Sequence, residues 1–395
     1  MLETWLFDLA LLGVLIAYAL RGWRHGLVNA VSGFIGVVVG SIIAFFVVPI
    51  LGSWVPNSGW RIVVVVATAV ALVLGGHSAG TAVGRRIGGS VKKRALRIAD
   101  RMLGAAASLV ATALVLSLLM SSAVALGIPA LSQAIAGSTV LRVIGTITPD
   151  PLESLVARVR SVLLQDGLPV ITEALGGIVN PPTLPDVDTG SPALAAAAQS
   201  VVRITGTAAS CGQNQAGSGF VISDDRVVTN AHVLAGVTEP IIETPGGQAL
   251  GGTIVYFDPI DDLAVIAVAG LNAPPLVLVD TVGDGTEGVI NGYPFGGPFV
   301  TSPAEVLSVD KAQVFDIYNS SQNSREVYTL AAEVNVGDSG GPFLTIDGQV
   351  AGVVFAKAAN TANVGYAMTM AELDPVAAQA PSLSTRVDSG TCTRG

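Results

Sequence analysis

Four apolar runs crowd the first 126 residues of the chain, at about Trp5–Leu20, Leu27–Leu51, Ile62–Val83 and Met102–Leu126. A helix needs roughly 20 residues to cross about 30 Å of hydrocarbon, and the last three runs meet that length. The first is shorter and carries Asp8, within a turn or so of the expected water interface, where a charge costs far less than at mid-bilayer. No basic n-region precedes this run and no clear small-residue cleavage site follows it, so a retained helix is expected rather than a cleaved signal peptide. Four transmembrane helices are therefore expected at the front of the chain.

Charge divides the chain at the same place. Residues 1–130 hold ten Lys/Arg against Glu3, Asp8 and Asp100, a net of +7, whereas the remaining 265 residues hold ten bases against 26 acids, a net of −16. An acidic back half offers no clustered Lys/Arg for phosphates, which argues against nucleic acid as its partner. The loop after the first run reads Arg21-Gly22-Trp23-Arg24-His25, and the one after the third carries Arg85, Arg86, Lys92, Lys93, Arg94, Arg97 and Arg101. The Gly52–Trp60 loop has no base before Arg61. Basic loops stay cytoplasmic, so the N-terminus, the Trp54/Trp60 loop and everything after the fourth run are expected on the exported side of a multi-pass membrane protein.

Gly33, Gly36 and Gly40, with Ser32 and Ser41 beside them, mark the second run as a close-packing helix face, with a pore as the alternative. His77 and Ser78 are polar residues at membrane depth, read either as an interhelical hydrogen bond or as a functional pair. The Phe7-Asp8 start, the Arg21-Gly22…Arg24-His25-Gly26 loop and the glycine-spaced second run make residues 1–130 resemble the colicin V production (CvpA-like) membrane family. That resemblance adds topology more than biochemistry.

After the fourth run, Leu152, Leu155, Val156, Val159, Val162 and Leu163 recur at helical spacing between Pro149-Asp150-Pro151 and Gly176-Gly177, which predicts a surface helix. The Pro-rich run from Asn180 to Pro192 reads as an extended, semi-rigid linker that holds the C-terminal half away from the bilayer. The expected domains are thus 1–127 (membrane), 128–198 (stalk and linker) and 199–395 (exported domain). The two cysteines, Cys211 and Cys392, both fall in the exported half, where pairing is favoured over two free thiols. A bridge would close a loop of about 180 residues, worth roughly 4–5 kcal/mol in the chain-entropy picture.

From about Gln199 the text turns to short β-branched runs broken by Gly, Asn and Asp: Val201–Ile204, Phe220–Ile222, Val227–Thr229, Leu263–Val268 and Val350–Phe355. Such spacing predicts an all-β sandwich or barrel. Three islands within it carry chemistry. They are Thr229-Asn230-Ala231-His232-Val233, behind Gly217-Ser218-Gly219; Asp262-Leu263-Ala264-Val265; and Gly337-Asp338-Ser339-Gly340-Gly341-Pro342. A Ser hydroxyl becomes a nucleophile when an imidazole takes its proton, and the imidazole needs a carboxylate to fix its tautomer. The Gly337–Ser339 turn can aim the N–H groups of Gly337 and Ser339 at one developing oxyanion. His232 is the one His outside the membrane region, and the order His, Asp, Ser excludes the subtilisin and α/β-hydrolase arrangements. No cofactor and no metal are expected.

On these islands residues 199–378 resemble the trypsin-like serine peptidases of the HtrA/chymotrypsin clan. In that family the triad Asp directly precedes a strand of the Leu-Ala-Val kind, which implies Asp262 as the triad acid and leaves Asp261 a solvated neighbour. The whole chain is similar to the mycobacterial membrane-anchored acid-resistance serine proteases (MarP type). The resemblance implies a double β-barrel of two six-stranded barrels, His232 and Asp262 from the first and Ser339 from the second. It also implies a periplasmic endopeptidase acting on exported proteins or peptides, a Cys211–Cys392 bridge and a role in tolerating acid or oxidative stress. Two departures from HtrA stand out. Too few residues follow the last expected strand for a PDZ domain. Asp338 stands where HtrA enzymes usually carry Asn, so it either accepts backbone hydrogen bonds or pairs with a new N-terminal amine after cleavage. Glu333, six residues before Ser339, occupies the place of a pocket-base residue, which would favour basic side chains in a substrate.

Overall fold

The computed structural model describes residues 2–53, 58–88, 94–124, 134–135, 137–148, 170–171, 180–208 and 213–393. The expected surface helix over 152–163 and Cys211 lie outside the described residues. The chain divides into two compact units, Met1–Leu119 and Met120–Gly395.

The first unit is helical: α1 (Leu2–His25), α2 (Leu27–Ser53), α3 (Ser58–Gly88) and α4, which begins at Arg94 and ends at Val124 beyond the unit boundary. All four coincide with the apolar runs. Among the described residues two stretches are long and apolar enough to cross a membrane, Trp5–His25 and Ile98–Ser117, with a shorter apolar stretch at Leu27–Gly40. The glycine face of α2 has its counterpart on α3. A Cβ on Gly36 would run into Gly76 O, one on Gly40 into Leu72 O, and one on Gly80 into Ser32 O. Small residues let the two backbones touch, which is the packing read from the spacing. His77 turns its ring toward the bare face of Gly33, and Ser78 Oγ donates to Leu74 O at 2.8 Å.

In the second unit, α5 (Thr139–Ile147) is capped by the Ser138 hydroxyl, which accepts from Leu141 N at 3.2 Å. A two-residue strand, β1 (Val170–Ile171), comes next. The Pro-rich run is irregular, as expected, yet it is laid onto the domain rather than standing clear of it. Val187 packs against the core and Asn363 Nδ2 donates to Pro182 O at 3.2 Å. An extended Pro-rich backbone leaves its carbonyls unpaired, so they remain open to such donors. α6 (Pro192–Ala198) then starts on a Ser191 cap with Pro at its first turn and buries Leu194.

Thirteen further strands make two sheets. The first contains β2 (Val201–Ala208), β3 (Gln213–Ser223), β4 (Arg226–Thr229), β5 (Ile241–Glu243), β6 (Ala249–Gly251), β7 (Thr253–Asp258) and β8 (Leu263–Ala267), in the order β6-β5-β2-β3-β4-β8-β7. Helix α7 (Ala231–Leu234) interrupts it directly after β4. The second holds β9 (Glu287–Gly292), β10 (Val300–Phe315), β11 (Gln322–Ala332), β12 (Pro342–Thr345), β13 (Val350–Ala358) and β14 (Val364–Met368). Its order β13-β12-β9-β10-β11-β14 closes on itself through a β13–β14 pairing, and β1 adds to β13 in parallel, Val170 opposite Lys357. The second barrel is thus six-stranded as the resemblance implied. The first sheet has seven strands, because the stretch between α7 and β7 forms two three-residue strands. Helix α8 (Met370–Gln379), capped by Thr369, seals the end with Met370, Leu373 and Val376 buried.

The sheets share a core. Val201, Phe220, Val228 and Leu263 of the first meet Val289, Leu344, Phe355 and Tyr366 of the second in one buried cluster. Burying each large side chain contributes about 1.5–3 kcal/mol, so the interface between the barrels is part of the fold itself. The C-terminal segment lies along the first barrel: Val387 N donates to Ile254 O at 2.9 Å, and Arg226 Nε donates to Leu383 O at 2.9 Å.

Candidate active site

His232 lies in the single turn of α7, immediately after β4, and is 6% exposed. Asn230 precedes it in extended conformation and sends Nδ2 to Asp262 O at 2.9 Å. Asp262 sits at the start of β8, a strand paired with β4, so the sheet itself brings the two islands together. Its carboxylate grips the histidine twice. Oδ1 accepts from His232 backbone N at 2.9 Å, and Oδ2 lies 2.8 Å from His232 Nδ1. Asp262 holds φ at 56°, a left-handed conformation uncommon for a non-glycine residue. The double grip on His232 and the bond from Asn230 keep it there. Of the two adjacent acids, Asp262 is the one that meets His232. Asp261 is half-buried, its N–H donates to Asp258 Oδ1 at 3.2 Å, and burial together with the Asp258 charge pushes its carboxyl up against the pull of Arg325.

Ser339 comes from the second barrel, in the turn between β11 and β12, and is 2% exposed. Its hydroxyl makes no hydrogen bond among the described residues. The turn is fastened to the first barrel. Ser218 N on β3 donates to Ser339 O at 2.8 Å, and Ser218 Oγ donates to Gly337 O at 2.7 Å while accepting from Tyr293 N at 2.9 Å. A Cβ on Gly340 would meet Thr229 Oγ1 and lie 3.0 Å from Asn230 N, so this turn abuts the strand end that carries His232. The three islands are therefore neighbours across the barrel interface. Ser218, with Gly on either side, is the residue that sequence reasoning passed over; the glycines on both flanks were its only signal.

Gly337 has φ of 98° and no room for a Cβ, which would strike Tyr293 O. Neither Gly337 N nor Ser339 N donates to a protein acceptor among the described residues. The turn thus presents a buried hydroxyl and two unpaired N–H groups, a combination that is costly unless a ligand uses it. Asp338, between them, is buried and turns its carboxylate back to accept from Asn335 N at 2.8 Å; burial pushes it up to about 7. Of the two readings of Asp338, the structure displays the backbone hydrogen bond. Glu333 is exposed and accepts from Asn335 Nδ2 at 3.4 Å, so it does not form a closed pocket floor. Cys392 lies against Gly236, two residues after α7.

The chain's likeness to known proteins agrees with this geometry. Residues 217–353 match the trypsin-like peptidase domain family, and residues 7–149 match the colicin V production protein family. The serine protease Rv3671c of Mycobacterium tuberculosis is 34% identical over 376 residues, covering 94% of both chains. A probable periplasmic DegP-like serine endoprotease of Halomonas elongata is 31% identical over 160 residues, 38% of this chain and 32% of its own. The crystal structure of the active form of the Rv3671c protease superimposes with a TM-score of 0.51 at 36% identity, over 56% of this chain and 100% of that one. A trypsin-like peptidase domain behind a colicin V production-type helical front, shared over nearly the full length with Rv3671c, makes this chain a member of the MarP-type family of serine endopeptidases.

Proposed function

We propose that the endopeptidase works through a Ser339–His232–Asp262 triad with Gly337 N–H and Ser339 N–H as the oxyanion hole. The observation that carries this is the doubly held His232–Asp262 pair at a strand end that abuts the turn carrying an unpartnered, buried Ser339 hydroxyl. Ser339 Oγ attacks the scissile carbonyl carbon as its proton passes to His232 Nε2, and Asp262 keeps Nδ1–H in place and stabilises the imidazolium. The carbonyl oxygen becomes an oxyanion between the two N–H groups, each worth about 3–4 kcal/mol of transition-state stabilisation. His232 then gives the proton to the leaving amine, and water hydrolyses the acyl-enzyme by the same steps in reverse roles.

The proposal extends to the setting. Residues 1–127 form four membrane spans, residues 128–198 a stalk and linker, and residues 199–395 a protease domain on the periplasmic side, acting on exported proteins or peptides. Four helices at the four apolar runs support the spans, and the one-sided distribution of Lys and Arg supports the orientation. A Cys211–Cys392 bridge is included: the chain has two cysteines and none among the described residues is free. Work in acid or oxidative envelope stress is the role that the MarP-type resemblance implies. Labelling of the full-length protein by a fluorophosphonate probe tests the triad; persistence of labelling in Ser339→Ala would sink it. Comparing exported proteins cleaved with and without Ser339 identifies the substrates.

A further inference from the structure

Arg203 on β2 stands directly opposite Glu243 on β5, and its Nη2 donates to Glu243 Oε2. The guanidinium then leaves its own barrel. Nη1 donates to Gly296 O at 3.0 Å and Gly297 O at 3.4 Å, and the group lies over the Tyr293 ring at 5.9 Å. It thereby holds the loop between β9 and β10, in which Phe295 (φ 58°) and Gly296 (φ 64°) are both left-handed. A left-handed Phe persists where its surroundings over-determine it.

This loop sets the direction of one peptide. Phe295 N–H donates to Val336 O, and the Val336–Gly337 bond is trans. Carbonyl and N–H point in opposite senses across a trans peptide, so a carbonyl held by the loop turns Gly337 N–H away from it. Were the peptide to turn over, a carbonyl oxygen would replace a donor. We propose that Arg203, anchored by Glu243, is a positioning residue that keeps the Val336–Gly337 peptide in the orientation an oxyanion requires. The proposal rests on the oxyanion role given above to Gly337. Both partners are about one-quarter exposed, at 26% and 24%, and ion pairs this open add little to global stability. The effect therefore falls on turnover rather than on folding.

The test uses full-length protein in detergent with fluorescein-labelled casein, measuring kcat, KM, the pH profile of kcat and thermal melting. Arg203→Gln lowers kcat about ten- to hundredfold, short of the loss of a whole donor. KM stays within about twofold and the acidic limb of the profile stays in place, since His232 and Asp262 are untouched. Arg203→Lys recovers part of the loss, because an ammonium still donates to Gly296 O. Glu243→Gln lowers kcat in the same sense but less, and the double variant is no worse than Arg203→Gln alone. A folded Arg203→Gln with wild-type kcat overturns the brace, as does a rise in KM alone or a displaced acidic limb. Should Arg203→Gln fail to fold, Glu243→Gln decides, and its full activity refutes the idea. Ser339→Ala runs alongside: if it stays active the triad reading fails, whereas a dead Ser339→Ala beside a fully active Arg203→Gln removes the brace alone.

Discussion

Asp338 carries a pH dependence that can be measured on the folded protein. Its carboxyl is buried within the Gly337–Ser339 turn, takes one backbone hydrogen bond from Asn335, and is pushed from 3.8 up to about 7. An acid whose folded-state pKa is raised contributes stability that is complete below its unfolded value and lost as pH climbs through the folded one. The window is therefore pH 3.8 to about 7, with the penalty fully expressed above it. Three units correspond to about 4 kcal/mol. Asp338→Asn cannot ionise, keeps an oxygen for Asn335 N, and removes the dependence. The stability of the variant relative to wild type should thus rise by about 4 kcal/mol between pH 3.5 and pH 8. Urea unfolding monitored by near-UV circular dichroism of tyrosine reads the peptidase half selectively. Five of the six tyrosines lie between 256 and 366, and all four tryptophans lie within the first 60 residues. Stability curves for the two proteins that run parallel across this range would refute the reasoning and place Asp338 in a far more polar setting than its burial indicates.

Asp262→Asn leaves the packing intact but offers His232 the wrong tautomer, and kcat on casein should fall by about 10⁴ with KM little changed. Gly337→Ala forces a Cβ into Tyr293 O at a positive φ, so kcat should drop about 10²–10³ while His232 and Asp262 stay paired; a fully active variant would remove Gly337 from the oxyanion site. Asp316 is pushed up by burial but more than offset by hydrogen bonds from Ser320, Ser321 and Tyr318, which hold it at about 2. Its contribution is present above pH 3.8 and lost as pH falls toward 2, so wild type should lose more melting temperature than Asp316→Asn between pH 5 and pH 2.5. Gly36→Leu would wedge α2 from α3 at Gly76, and cysteine cross-linking between the two helices should fall sharply.

The sequence made some of this legible and hid the rest for identifiable reasons. Periodicity and β-branched runs located β2, β4, β8 and β13, because each is a local pattern. His232, Asp262 and Ser339 were visible as islands because each sits beside Gly, Asn or a strand start with a local signature. The choice of Asp262 over Asp261 came from resemblance alone; what selects it physically is a left-handed turn that aims one carboxylate at two His232 nitrogens. Arg203 and Glu243 are 40 residues apart and become partners through β-sheet register, which no linear pattern announces. Ser218 belongs to the same class, since its three hydrogen bonds to Tyr293, Gly337 and Ser339 reach 75, 119 and 121 positions along the chain. The two short strands β5 and β6, of three residues each, are below the length at which alternation is readable. The Pro-rich run was read as a linker standing clear of the domain; its docking through Val187 and Pro182 depends on surfaces assembled much later in the chain.

The seam where Ser218 meets the Gly337–Ser339 turn has a further implication. In the proposed triad, hydroxyl and imidazole come from different sheets of one compact unit, so a shift of one against the other by about an ångström disarms the pair while every strand stays intact. Hydrolysis then reports how closely the two sheets stay aligned. Mild urea, pressure or a cleft-binding peptide would silence or sharpen it well before any spectroscopic sign of unfolding.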